Sequence, residues 1–167
     1  MESIVQAKRV LEIFKEMSQI PRESGNEKGI SDYIVNFAKN LGLEVHQDDQ
    51  FNVVIKKPAS PGYENRPSII LQGHIDMVCV RDHDSNHDFS KDPIANIIEG
   101  EWMHADHTTL GADNGMGGAM MLAILEDDSQ QHGPMQLLFT TNEETGMDGV
   151  FATKEGQVSG DYLLNLD

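Results

Sequence analysis

With 167 residues, 38% of them hydrophobic and 24% charged, the chain has room for one domain with its own core. Its 28 Asp and Glu against 12 Lys and Arg leave a net charge of −16, which repels a phosphate backbone and argues against nucleic acid or an anionic membrane as partner. The single cysteine, Cys79, cannot form an internal disulfide, no stretch approaches the roughly 20 apolar residues of a membrane span, and charges interrupt the apolar positions of MESIVQAKRVLEIFKEM, so the expectation is a protein of the reducing cytoplasm.

In chain order, residues 3–18 carry Val10, Ile13, Phe14 and Met17 at helical spacing, and Pro21 ends the segment. After a polar link from Arg22 to Gly25, a second helix from about Asn26 repeats apolar residues through Ile30, Tyr33, Ile34, Phe37, Ala38 and Leu41, with Gly42 as its stop. Residues 43–47 and 51–56 read as an antiparallel strand pair around Asp48-Asp49-Gln50. A Pro- and Gly-rich loop leads to Ser68-Ile69-Ile70-Leu71-Gln72, a short apolar run suited to a strand buried on both faces, ending directly at Gly73-His74.

Residues 94–98 and 101–104 predict a small hairpin on Glu99-Gly100. From Asn114 the run NGMGGAMMLAILEDD is apolar on every face, which predicts a helix buried against the sheet. Residues 134–141 form another buried strand, a short helix fits 149–154, and 162–166 form a last strand before Asp167. This alternation favours an α/β fold, a three-layer sandwich with a mixed, mostly parallel sheet.

Three strand ends therefore carry the candidate chemistry. His74 and Asp76 alternate onto one side of an extended chain, so the acid can accept from one imidazole nitrogen while the other faces a metal. Glu143 and Glu144 point differently, which allows one to bind a cation while the other takes a proton from water; a charged strand end is the plainer reading. Asp113 is either a ligand or a helix N-cap. His83 and His87, in the loop-like RDHDSNHDF, read as surface, His104 and His107 as flanking the approach to Asp113, and Cys79 as a small core residue.

The segments GHIDMV (73–78), TLGADNGMG (109–117), TTNEETGMDG (140–149) and LLNLD (163–167), in this order, resemble the co-catalytic zinc exopeptidases that include carboxypeptidase G, most closely a branch cleaving Xaa-His and other dipeptides. The resemblance implies a two-zinc site, with Co2+ or Mn2+ as alternatives, in which Asp113 bridges the ions, His74 and Asp167 complete one, Glu144 belongs to the other, Asp76 orients His74 and Glu143 is the general base. It also implies a cis peptide after Asp113. Family members are longer, so residues 1–167 correspond to the N-terminal part of the metallopeptidase catalytic domain, C-terminally truncated, without the lid or dimerisation domain and the returning segment that adds another ligand. A catalytic zinc takes three protein ligands plus water, so one ion site is expected to be fuller than the other. The complete protein is expected to be a cytoplasmic homodimer acting on small peptides. A related tripeptide aminopeptidase, or a metal-binding fragment without turnover, are the alternatives.

Overall fold

The computed structural model describes residues 2–167, with side chains described from residue 7 onward. Helices α1 (Glu2–Met17) and α2 (Lys28–Asn40) precede an antiparallel pair, β1 (Glu44–Gln47) and β2 (Val53–Lys57), and the central strand β3 (Ile69–His74). A separate hairpin, β4 (Asn96–Glu99) and β5 (Trp102–Ala105), leads into α3 (Ala112–Glu126), then β6 (Met135–Thr140), the short α4 (Asp148–Ala152) and β7 (Tyr162–Asn165).

The main sheet has the order β1-β2-β6-β3-β7 and is mixed, antiparallel from β1 through β6 and parallel from β6 through β3 to β7. Alternation along its strands separates two faces. Val53, Ile55, Leu71, Leu137 and Phe139 point into the main core with Ile13, Phe14 and Met17 of α1, Ile30, Ile34 and Ala38 of α2, and Ala119, Met121, Leu122 and Leu125 of α3. The in-between residues Val54, Ile70 and Leu138 form a smaller cluster closed by Val158 from the segment between α4 and β7. The runs Ile69-Ile70-Leu71 and Leu137-Leu138-Phe139 are thus apolar without alternation because both faces are covered.

One expectation is corrected. The third helix is not buried all round: Met120 and Ile124 are exposed and, with Val10 and Met135, line an open apolar cavity of about 460 Å³. The elements packed most closely on α3 are α1, β3 and α2, and the Met120 and Ile124 face opens to this cavity. Within the polar link after Pro21 Arg22 is buried, and so is Glu27 just beyond it.

At the far end of α3, the buried Lys57 Nζ donates to the carbonyls of Ile124, Leu125 and Asp127 at 3.0, 2.9 and 3.0 Å. A cation thus satisfies the orphan carbonyls where the helix dipole is negative. With that end held, the position of α3's first turn depends on what packs against it.

Candidate metal centre

In a parallel sheet all carboxyl ends lie on one side, and here β3, β6 and β7 bring three acidic segments to the same edge. His74 pairs in register with Thr140, so Glu143 lies three residues past its own strand's level. Gln72 pairs with Asn165, which sets Asp167 level with His74. Asp113 arrives from the opposite direction, in the opening turn of α3.

His74 is buried and makes contact through both ring nitrogens. Nδ1 lies 3.2 Å from Asp76 Oδ1, and Nε2 lies 3.1 Å from Asp113 Oδ1, 3.7 Å from Asp167 Oδ1 and 3.9 Å from Glu143 Oε2. Asp76 is fully buried and also accepts from Ser24 Oγ at 2.7 Å and from the backbone N–H groups of Glu143 and Glu144 at 3.1 and 3.2 Å. It therefore orients the imidazole and also holds the Glu143-Glu144 turn, a second task the sequence did not reveal.

Electrostatics follow from this crowding. Burial disfavours charge on both partners, yet the hydrogen bond and charge of Asp76, followed by Asp167 and Asp113, push His74 up to about 9. Burial likewise opposes ionisation of Asp76, but the bonds from His74, Ser24 and the two N–H groups bring it down to about 2. Burial raises Glu144, with Asp113 and Glu143 adding to the rise against the pull of His74. Among the described residues, Asp113, Glu143 and Asp167 have no lysine or arginine ion pair, and His74 is the cationic side chain they approach.

Single donor atoms of His74, Asp113 and Asp167 lie within 4.8 Å of one another, and so do those of His74, Glu143 and Glu144. The groupings meet at His74, whereas the sequence reading had the two sites meet at Asp113. Since Nδ1 faces Asp76, Nε2 can bind one ion only, so both groupings cannot be filled through His74. The donors, one imidazole and several carboxylates with exposed faces on Asp113 and Asp167, suit a divalent ion such as zinc or manganese.

Asp113 is not the N-cap of α3: Gly111 occupies that position at φ 70°, and no side chain caps the helix. Asp113 and Asn114 depart from helical geometry, and the peptide bond joining them is cis; the Asp113 carboxylate faces His74 Nε2. The flanking histidines do not join the cluster. His104 and His107 line a separate cavity of about 470 Å³ with Arg81, Asp82 and Thr108, and His107 Nδ1 is 2.7 Å from Asp82. His83 is fully exposed as expected, whereas His87 is half-buried, edge-on to Phe89 at 4.5 Å.

Arg22 is the buried neighbour of the cluster that sequence reasoning missed. Its Nη1 donates to Ile75 O at 3.2 Å and Asp76 O at 3.4 Å, and its Nη2 donates to Gly111 O at 2.6 Å. Burial lowers its pKa to about 10, which still leaves it a cation at neutral pH. No local signal marks it, because an arginine between two helices is ordinarily solvated.

Residues 70–165, the span from β3 through β7, match Peptidase family M20/M25/M40. The cytosol non-specific dipeptidase of Escherichia coli (strain K12) is 46% identical over 156 residues, which is 93% of this chain and 32% of that protein. The crystal structure of aminoacylhistidine dipeptidase from Vibrio alginolyticus superposes with a TM-score of 0.91 at 46% identity, covering 94% of this chain and 32% of the other. A tripeptidase from Staphylococcus aureus superposes with a TM-score of 0.80 at 26% identity, covering 96% and 43%. The chain spans about a third of the length of the first two relatives. It belongs to Peptidase family M20/M25/M40.

Proposed function

We propose that this chain carries the cation-binding and proton-transfer part of a zinc-dependent dipeptidase site, with Xaa-His dipeptides among its substrates. The observation that carries the reading is the convergence of His74, Asp113 and Asp167 within one ion's reach, with Glu143 and Glu144 alongside. Identity of 46% to two dipeptidases, against 26% to the tripeptidase, favours dipeptides over tripeptides. Because the relatives are about three times longer, hydrolysis is assigned to the protein that includes the remaining two thirds, and residues 1–167 are read as the N-terminal part of its catalytic domain.

His74, Asp113 and Asp167 would hold one ion and Glu144 would contribute to another, with Asp113 the residue shared between them; Zn2+ is the first choice and Co2+ or Mn2+ the substitutes. When bound, such ions supply Lewis acidity, lowering the pKa of water toward neutral and polarising a carbonyl. The chain's own groups do the rest. Asp76 accepts a hydrogen bond from Nδ1–H, which keeps the proton on Nδ1 and leaves the Nε2 lone pair for the cluster. Glu143, partly exposed and free of any lysine or arginine partner among the described residues, accepts a proton from the attacking water and returns it to the leaving amine. Two backbone N–H bonds to Asp76 hold the turn that carries it.

The test has two parts. Calorimetric titration of the purified chain with Zn2+ should show binding that His74→Ala abolishes; absence of any binding refutes the metal centre. Incubation with Zn2+ and an Xaa-His dipeptide then asks for free histidine. Release that survives Glu143→Ala would remove the proposed base.

A further inference from the structure

The link Arg22–Glu27 is bonded to three of the four segments that converge on the cluster. Arg22 bridges the chain after β3, through Ile75 O and Asp76 O, to the turn before α3, through Gly111 O. Its own carbonyl accepts from Met77 N at 3.1 Å. Ser24 Oγ binds Asp76, and Glu27 Oε1 accepts from Asn142 N at 3.0 Å, next to Glu143. The packing is close enough to dictate sequence elsewhere: a Cβ on Gly111 would stand 2.5 Å from Arg22 Nη2, and one on Gly115 would stand 2.7 Å from the same atom. The glycines at both ends of Gly111-Ala112-Asp113-Asn114-Gly115 leave room for this guanidinium.

A planar fork can bond carbonyls on two separate segments at once, which an ammonium on a flexible stem does without fixing their separation. Among the described residues Arg22 has no carboxylate ion pair; both its Nη groups bond backbone carbonyls of the segments that carry His74 and Asp113, while its buried Nε has no partner.

We propose that Arg22 is a positioning residue for the cation site, setting the distance between His74 and Asp113, while Ser24 and Glu27 orient Asp76 and the Glu143-Glu144 turn. The assignment rests on the metal centre proposed above. Groups that orient ligands change metal affinity by about 10- to 100-fold when removed.

The experiment compares Arg22→Met, Ser24→Ala and Lys57→Met with the parent chain, measuring Co2+ affinity, the visible spectrum of bound Co2+, and Tm in the presence of chelator. Lys57→Met is the control: it also removes a buried cation from backbone carbonyls, but at the opposite end of α3. Expected results are a loss of at least 10-fold in Co2+ affinity and an altered spectrum for Arg22→Met, a smaller loss for Ser24→Ala, and parent affinity and spectrum for Lys57→Met despite its lowered Tm. Parent-like binding by Arg22→Met, or affinity losses that follow Tm across all three variants, overturns the proposal. If Arg22→Met does not fold, Ser24→Ala decides: unchanged affinity and spectrum overturn the bracket, and a loss without a change in Tm supports it. Failure of the parent chain to bind Co2+ or Zn2+ would instead refute the metal centre itself, and the bracket with it.

Discussion

Alanine at Gly115 sets two physical effects against each other, and the structure decides which wins. Both Gly115 and Gly118 lie in α3, where replacing glycine by alanine stabilises a helix by about 1 kcal/mol. At Gly118 the new methyl would meet the tip of Met17, with Cε at 3.0 Å, a flexible end that can shift. At Gly115 it would meet Arg22 Nη2 at 2.7 Å and Phe14 Cε2 at 2.8 Å, both buried and unable to leave without losing bonds or packing. Overpacking costs about 1–3 kcal/mol, and weakening the Arg22 bond to Gly111 adds about 1.5 kcal/mol. After subtracting the propensity gain, Gly115→Ala should destabilise by about 2 kcal/mol, which lowers Tm by roughly 4–8 °C in a chain of this size. Gly118→Ala should match or exceed the parent by up to about 4 °C. Thermal unfolding followed by circular dichroism, with chelator present, measures both. A Gly115→Ala protein as stable as Gly118→Ala would refute the close packing of Arg22 beneath α3.

Four further outcomes are expected. His74 is held up to about 9, so it is protonated at neutral pH; binding the first ion at pH 7 should release about one proton, seen as a dependence of calorimetric heat on the ionisation enthalpy of the buffer. Because this folded pKa lies above the unfolded one, the stability it confers on the chelated protein is fully present below about pH 6.5 and is lost as pH rises through about 9. A Tm that climbs over that interval would contradict the assignment. Lys57→Met strips a charged donor from three carbonyls and should cost about 1.5–3 kcal/mol, read as a shift of the urea midpoint at constant m-value. Cys79 is pushed up to about 11 by burial and then by Glu23, so alkylation by iodoacetamide at pH 8 should be about 100-fold slower than for a free thiol; an equal rate would show the thiol to be open.

Much of the site was legible because its residues follow strands whose apolar runs announce themselves. His74, Asp76, Glu143, Glu144 and Asp167 each stand within four residues of a strand end, so locating the strands located the acids. Asp113 was legible as a position, but its freedom from capping duty was not, since Gly111 takes the cap and the chain turns at Asp113 and Asn114. Met120 and Ile124 misled the reading of α3 because hydrophobicity reports what a face tolerates and not which neighbour exists. Arg22 and Glu27 were missed for the complementary reason, as charged residues in a short link carry no mark of burial until their partners are known.

What the amino-acid order determined by itself is the kind of each element and the chemistry at each strand tip, because helical and extended periodicity are set by neighbours a few residues away. The tertiary structure alone decided the order β1-β2-β6-β3-β7, the meeting of both donor groupings at His74, and the anchoring of that edge by Arg22 and Asp76. Those features depend on hydrogen bonds between segments 67 to 89 residues apart, whose pairing is selected by burial and register in three dimensions and leaves no trace in local pattern.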